Sequence, residues 1–474
     1  MKRDVARPQL MIRTLLFCTF FMILNETFFG VAVPSLMTEF GVSEPTAQWS
    51  YTIVLVTLGT VMPLSGFLLK RYQTRTIFFL ATALMITGSA IGSLSTGFDF
   101  VLVARFIQAV GTALMIPLLY FSIVALVPPT QRGVNIARVA VVFAVAPSVG
   151  PPISGILLEA LGWRALFAAI VLLAIVMLIV GARTVFPVGP RLVEPLDIPS
   201  VPLSFVGTAG LVLGIGTLVG GVADSLDDRA RVLGSVGVIL VGICGLALFA
   251  HRQFALQRAG AVAFLDLSVL RVRQFAISIA VMSLASVVLF SGLYLVTLFL
   301  VVVLRESPLV AGLAIVPGAI AQAVLSPIIG RRYDVVGPRA LALWGIVLLI
   351  VAMCMMAAAS FSEAVWLVIA CHILASIALA FVFTPIFAHA LTALPNTSHA
   401  DGTAILGAFQ HILGAIGVAV FVSIASRPDL FESSPRVFSY PLAFILAALI
   451  AATAIPLAAR LKRSTSTLLP VSGP

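Results

Sequence analysis

The sequence predicts an all-α polytopic membrane protein of fourteen transmembrane helices, arranged as two six-helix bundles with two further helices inserted between them. Three observations carry that reading. Hydrophobic residues make up 61% of the chain and charged residues only 10%, which leaves too little polar surface to cover soluble domains. Apolar runs of about 20 residues, enough to cross a hydrocarbon core as a helix, recur between short charged breaks. One loop pattern occurs twice, far apart in the chain. Helices are expected because an unclosed sheet would leave its edge unsatisfied in lipid.

Taken in order, the first span, 14–37, follows Met1-Lys2-Arg3. It is too long for a signal peptide, lacks a convincing cleavage site and is followed by many more spans, so it reads as an uncleaved helix. The second, 47–69, stops at Lys70-Arg71, and the third, 76–96, begins beyond Arg75. The fourth, 99–126, contains Arg105; Arg132 precedes the fifth, 136–158, and Arg164 the sixth, 165–186. Past Arg183 and Arg191 come two extra spans, 202–223 and 231–250. Arg271 and Arg273 introduce the ninth, 275–303, and Arg305 separates it from the tenth, 309–329. Arg331, Arg332 and Arg339 precede the eleventh, 340–360, which is followed by spans at 364–388, 402–425 and 438–459. Asp401 reads as the N-cap of the thirteenth. The expected division is a first half at 1–190, an insertion at 191–265 and a second half at 266–474.

Charge sets the sides. Arg164, Arg229, Arg231, Arg305, Arg427 and Arg436 fall in loops on one side, while all the other Lys and Arg of the 28, except the intramembrane Arg105, fall on the side of the N-terminus. That bias places both termini in the cytoplasm of a multi-pass plasma (inner) membrane protein. The net charge of +10 is thus a topology signal. Cations scattered over many short loops form no nucleic-acid-binding face. Cys18, Cys244, Cys354 and Cys371 all lie in apolar runs without ligand-like spacing, so they read as small buried hydrophobes, with no disulfide framework and no metal site.

The repeated loop is Gly66-Phe67-Leu68-Leu69-Lys70-Arg71-Tyr72-Gln73-Thr74-Arg75 after the second span and Gly330-Arg331-Arg332-Tyr333-Asp334-Val335-Val336-Gly337-Pro338-Arg339 after the tenth. Its leading glycine is expected to end the helix closely, and its cations to hold the loop at the inner surface. Two homologous halves facing a central cavity are a common construction of secondary transporters, with the site near the bilayer midplane.

The chain resembles the major facilitator superfamily, in particular its fourteen-span drug:proton antiporter branch of multidrug and lincomycin-type exporters. The resemblance spans essentially the whole length. It rests on the paired loops, on Arg105 to Gly111 in the fourth span, on Ala146 to Gly155 in the fifth, on Phe264 to Arg271 before the ninth, and on Gly402 to Gly417 in the thirteenth. It implies the major facilitator fold and marks the fifth span as an exporter element through Pro147, Gly150, Pro151, Pro152 and Gly155. Lys70 stands where the family usually has an aspartate, whereas the second copy keeps Asp334; Ala146 and Ser154 replace glycines with other small residues.

Two strongly charged side chains lie deep in apolar runs, Glu26 and Arg105. Charge there costs several kcal/mol on insertion scales and calls for a function and a partner. At a rise of 1.5 Å per residue both sit about 20 Å from the inner face. Burial raises the pKa of a carboxylic acid and a nearby guanidinium lowers it, so relative movement could switch protonation. Glu26 is expected to bind the coupling proton and Arg105 to modulate it, or the two to hold the first and fourth helices together. Prolines bend the fifth helix and glycines permit close approach, giving a hinge, a tight contact or a fixed kink. Asn25, Gln48, Gln108, Gln322, His372, Gln410 and His411 are the candidate cavity residues, the uncharged amides being costly against lipid. The histidines are also consistent with hydrogen-bonded packing, and His389 and His399 with a loop. Gly210, Gly214, Gly216 and Gly220 read as helix packing and not as a dinucleotide loop.

These features predict a non-enzymatic, proton-coupled exporter of hydrophobic or amphipathic small molecules, drugs or antibiotics, by alternating access. The alternative is a lipid or lipid-precursor transporter of the same fold. No cofactor beyond the proton gradient is expected, and a monomer is the expected working form. The frequent Phe residues, among them Phe17, Phe21, Phe28, Phe143, Phe290, Phe381 and Phe409, suit an apolar pocket with a few polar anchors.

Overall fold

In the computed structural model of the chain, residues 2–188, 197, 199–220, 228–259, 265–362, 364–395, 398–425 and 435–462 are described. Fourteen long helices account for nearly all of them: α1 (Lys2–Phe40), α2 (Trp49–Arg71), α3 (Thr74–Ser93), α4 (Phe98–Leu126), α5 (Pro129–Leu161), α6 (Arg164–Thr184), α7 (Ser200–Gly220), α8 (Asp228–Arg258), α9 (Arg273–Leu298), α10 (Pro308–Val336), α11 (Pro338–Ala359), α12 (Val365–Thr392), α13 (His399–Ala425) and α14 (Pro435–Thr453). Twelve are long and apolar enough to cross a membrane, and α2 and α5 carry shorter apolar stretches, Trp49–Ser65 and Val145–Leu161. Successive helices alternate in direction, so Lys2 and Lys462, the first and last described residues, lie at one end of the bundle, the terminal end; the opposite one is the far end.

Several helices overrun their predicted spans, because hydropathy marks only the segment suited to hydrocarbon while the backbone remains helical through the interface. The glycines of the repeated loop are a case in point. Gly66 and Gly330 lie inside α2 and α10 instead of ending them. The chain turns at Gly337, whose φ of +86° favours a residue without a Cβ, and in the first copy at the extended Tyr72. Asp401 sits within the first turn of α13 and not at its N-cap, where a carboxylate still opposes the positive end of the helix dipole. His389 lies in the last turn of α12 and His399 opens α13, so neither belongs to a loop.

Buried apolar side chains form two main clusters. One runs from Met11 to Val185 and holds α1–α6 together; the other is built mainly from Leu265 to Leu461, with Val33, Ala47, Tyr51, Leu55, Val56 and Val212 added to it. The two bundles meet along α5 with α10 and α2 with α13. The hairpin α7–α8 lies beside the second seam, with α7 against both α13 and α2. Within the hairpin, a Cβ on Gly210 would fall 2.9 Å from the Cα of Gly242, and one on Gly214 would fall 2.8 Å from the backbone nitrogen of Ile239. These glycines therefore serve helix packing, as their spacing predicts. Arg252 holds Asp197 at 2.6 Å near the base of the hairpin.

The outer surface is apolar. Leu172, Leu233 and Leu240 are exposed on α6 and α8, and Trp344 and Trp366 are exposed on α11 near the terminal end and α12 near the far end. Lipid is the matching solvent for such a surface, and indoles near both ends fit the two interfaces. Cys18 and Cys371 are buried, but Cys244 and Cys354 lie on this exposed surface, which corrects the expectation that all four are buried.

Candidate functional site

Between the bundles lies a cavity of about 110 Å³. Its polar lining comes from Glu26 and Thr27 of α1, Gln322 of α10, His372 and Ser376 of α12, and Gln410 and His411 of α13; Phe290, Leu293, Met353, Met356 and Leu379 supply apolar wall, and Pro147 of α5 borders it. Of the seven uncharged or histidine candidates, four thus meet here and three do not. Gln48 is buried at the far end, at the N-cap of α2, where its Nε2 donates to Thr52 Oγ1 at 3.1 Å. Asn25 and Gln108 belong to a separate buried cluster around Arg105.

That cluster explains how a fully buried guanidinium is tolerated. Arg105 Nε donates to the Ser50 carbonyl at 3.0 Å, and Nη1 donates to the Asn25 carbonyl and Gln108 Oε1, each at 3.1 Å. Nη2 donates to the Glu26 backbone carbonyl at 3.1 Å, and the Phe29 ring lies 4.4 Å from the guanidinium carbon. Gln108 is itself oriented by its bond to Ser89 Oγ at 2.7 Å. Glu26 and Arg105 are therefore neighbours, but the link runs through backbone. Arg105 stitches α4 to α1 and α2, with its fork spread over several acceptors as a guanidinium can be.

The Glu26 carboxylate instead faces the other bundle. Its Oε1 lies 3.6 Å from His411 Nε2 and accepts no hydrogen bond from any described protein group. Both side chains are nearly fully buried. His411 Nδ1 is 2.7 Å from the Gly407 carbonyl; a carbonyl can only accept, so Nδ1 carries a proton and donates it. In the neutral imidazole Nε2 then bears a lone pair, directed at a carboxylate oxygen. Two lone pairs facing each other repel, so a donor hydrogen between them would relieve the conflict. His411 is the residue whose significance is missed by the depth comparison of Glu26 and Arg105.

The bends and glycines of α5 place its backbone against both bundles. Ser154 Oγ donates to the Phe28 carbonyl at 2.6 Å, and a Cβ on Gly150 would meet the Leu24 carbonyl at 2.9 Å. Towards the far end, a Cβ on Gly155 would lie 2.7 Å from the Pro308 carbonyl and 2.8 Å from Leu309 Cα, across the seam in α10. Gly312 of α10 is equally tight against Pro151. Glu159 Oε1 accepts from the Leu309 backbone N–H at 3.0 Å, so one bundle caps a helix of the other. At the same end Tyr51 of α2 and Tyr294 of α9 pack with ring centroids 5.6 Å apart.

Of the two loop repeats, Arg71 and Arg75 lie over the rings of Tyr72 and Phe79 at 5.8 and 5.6 Å. Thr74 Oγ1 donates to the Phe186 carbonyl at 2.8 Å and accepts from the Val188 N–H, tying the first loop to the end of α6. In the second copy Gly330 and Arg339 are placed in α10 and α11; the side chains of Asp334 and, among the phenylalanines, Phe143 lie outside the described residues. Among the described residues no cluster of His, Cys, Asp or Glu could hold a metal ion.

Two bundles, a cavity between them and a glycine-rich seam define a transporter of the major facilitator type. The sequence pattern of the Major Facilitator Superfamily matches residues 15–208 and 282–471, and the chain belongs to that family. It is 33% identical over 420 residues to the lincomycin resistance protein LmrB of Listeria monocytogenes, covering 89% of this chain and 87% of that one. It is 30% identical over 411 residues to LmrB of Bacillus subtilis, covering 87% and 84%. A multidrug resistance protein B homolog of Mycobacterium tuberculosis is 25% identical over 404 residues, covering 84% and 72%. The gap between the two matched segments contains most of the α7–α8 hairpin.

Proposed function

We propose that the protein exports hydrophobic or amphipathic antibiotics, of which lincomycin is the first to test, in exchange for protons entering from the opposite side. The single observation that carries the coupling is the Glu26 carboxylate, 5% exposed and facing His411 across the two bundles. Parting the bundles separates the pair and leaves Glu26 to solvent; closing them favours the state in which one proton is shared. Proton binding and bundle closure are therefore linked. Arg105 contributes a fixed positive charge behind α1, held without direct contact to the carboxylate. The positive-inside bias supports cytoplasmic termini in the plasma membrane, which makes the far end external.

In this reading residues 1–190 and 266–474 are the moving halves, 191–265 is the insertion, and a monomer suffices. A drug-sized pocket is roughly 300–1,000 Å³, so the cavity of about 110 Å³ is a contracted form. Cargo enters only when the bundles part. The apolar wall with few anchors accounts for breadth of cargo, and the drug-resistance names of the relatives favour antibiotics over lipids. Expression in a pump-deficient bacterial host tests the reading: the wild type is expected to raise the inhibitory concentration of lincomycin or another amphipathic antibiotic at least fourfold, and Glu26→Gln to abolish the gain. Unchanged susceptibility across an antibiotic panel, with normal membrane expression, would overturn it.

A further inference from the structure

Above Glu26, towards the far end, is a second space of about 10 Å³ bordered by Thr27, Gly30, Tyr51, Pro151, Tyr294 and Thr297. It has room for about one water molecule. Tyr51 and Tyr294 are each 2% exposed, and neither phenol oxygen has a hydrogen-bonding partner among the described protein groups. Two buried, unpartnered hydroxyls on residues that border the same small space, one from each bundle, are costly unless a small polar molecule joins them. Thr27 Oγ1 and Thr297 Oγ1 already donate to backbone carbonyls of their own helices, so both remain free to accept. Four hydroxyl-bearing residues thus border the space, in keeping with the 2–4 polar partners that a buried water needs.

Its position gives it a role. It shares the Thr27 and Leu293 walls with the larger cavity that holds Glu26. The charged and titratable groups within electrostatic reach of Tyr51 are Glu26, Arg105 and Tyr294; those of Tyr294 are Tyr51, Tyr440 and Glu44. Glu44 stands at the start of the short far-end helix Glu44–Ala47. Tyr51 thus stands within electrostatic reach of Glu26, and Tyr294, packed on it at 5.6 Å, within reach of Glu44.

We propose that Tyr51 and Tyr294 bind one water between them and with it form the path by which a proton reaches Glu26 from the far end while the bundles remain closed to cargo. Each hydroxyl accepts a proton on its oxygen and releases its own to the next group, and the water does the same. Both tyrosines and the water end neutral and unchanged, and the single new O–H bond is on the Glu26 carboxylate. The proton comes from the medium, and no co-reactant is consumed. Separate paths for proton and cargo keep the seam at Gly155 shut against cargo leak during protonation.

The inference rests on Glu26 as the proton site, and its test separates the two ideas without using any cargo. The full chain is reconstituted in lipid vesicles, and the carboxylic-acid infrared band of Glu26, identified by its loss in Glu26→Gln, is followed after a rapid drop in pH. Tyr51→Phe and Tyr294→Phe keep both rings and remove only hydroxyls that lack protein partners, so folding is preserved. Each single variant is expected to slow protonation at least threefold and the double variant at least tenfold, with the final band height unchanged. Protonation of the double variant at the wild-type rate would overturn the path and leave Glu26 as proton site. A band that never titrates in the wild type would overturn the proton-site reading itself, and the path with it. Tyr440→Phe is the control and is expected to leave the rate within twofold.

Discussion

Replacing Gly155 by alanine should shift the protein towards a state open at the far end. The added Cβ would meet the Pro308 carbonyl at 2.7 Å, Leu309 Cα at 2.8 Å and the Leu309 nitrogen at 3.0 Å. All three are backbone atoms of the opposite bundle, so no rotamer change relieves the clash. Restoring ordinary contact needs α5 and α10 to part by roughly 0.6–0.7 Å, and overpacking of this kind costs about 1–3 kcal/mol. Only the closed state bears that cost. The open population should therefore rise relative to the closed one by about 5- to 150-fold. The assay is a spin-label distance between Leu161→Cys on α5 and Leu313→Cys on α10, both exposed near the far end, with Cys244 and Cys354 replaced by serine. The long-distance component should grow at least fivefold. Gly234→Ala, whose Cβ would meet nothing within 4 Å, should leave the distribution unchanged. An unaltered distribution in Gly155→Ala, or the same change in Gly234→Ala, would refute the idea that this seam seals the far end.

Arg105→Lys should lower thermal stability, because an ammonium cannot span the Ser50, Asn25, Gln108 and Glu26 acceptors; losing about two hydrogen bonds is worth roughly 2–3 kcal/mol, and a melting temperature equal to that of the wild type in detergent would contradict it. His411→Phe should keep the ring packing on Phe290 while removing the partner of Glu26. Proton-driven transport should fall at least tenfold and cargo exchange without a gradient should fall less than threefold, so equal losses in both would count against the shared-proton site. Glu159→Ala removes the acceptor for the Leu309 N–H and should open the same spin-label pair in the same direction as Gly155→Ala but to a smaller extent; no change would show that the cap does not contribute. A lipid-soluble maleimide should label Cys244 and Cys354 in membranes and spare Cys18 and Cys371, and labelling of Cys371 at a similar rate would contradict the packing of α12.

The spans are legible because hydrocarbon demands long apolar runs, and the repeated loops disclose two bundles because each ends on cations that cannot enter lipid. Glu26 and Arg105 stand out for the same reason: charge in an apolar run is costly. Their pairing is only half legible. Rise per residue supplies depth, and the bond from Arg105 to the Glu26 carbonyl brings the two residues together, but which way the carboxylate faces depends on how α13 packs beside α2. That arrangement is set by contacts such as Gly59 against Ile412 and Gly407 against Met62, which no local pattern announces. Tyr51 and Tyr294 escape notice because a tyrosine near a span end is ordinarily an interfacial residue; their burial arises only when the two bundles meet. Gly66 and Gly330 mislead because a glycine before cations resembles a helix stop, whereas both lie within α-helix that continues past the apolar segment.

The claim at the centre is that Glu26 binds the proton that drives transport. Proteoliposomes containing the purified protein, with an imposed pH gradient and radiolabelled cargo from the susceptibility panel, measure it directly. Glu26→Gln should carry out cargo exchange at symmetric pH within threefold of the wild-type rate and show no gradient-driven accumulation. Full gradient-driven accumulation in Glu26→Gln would contradict the account.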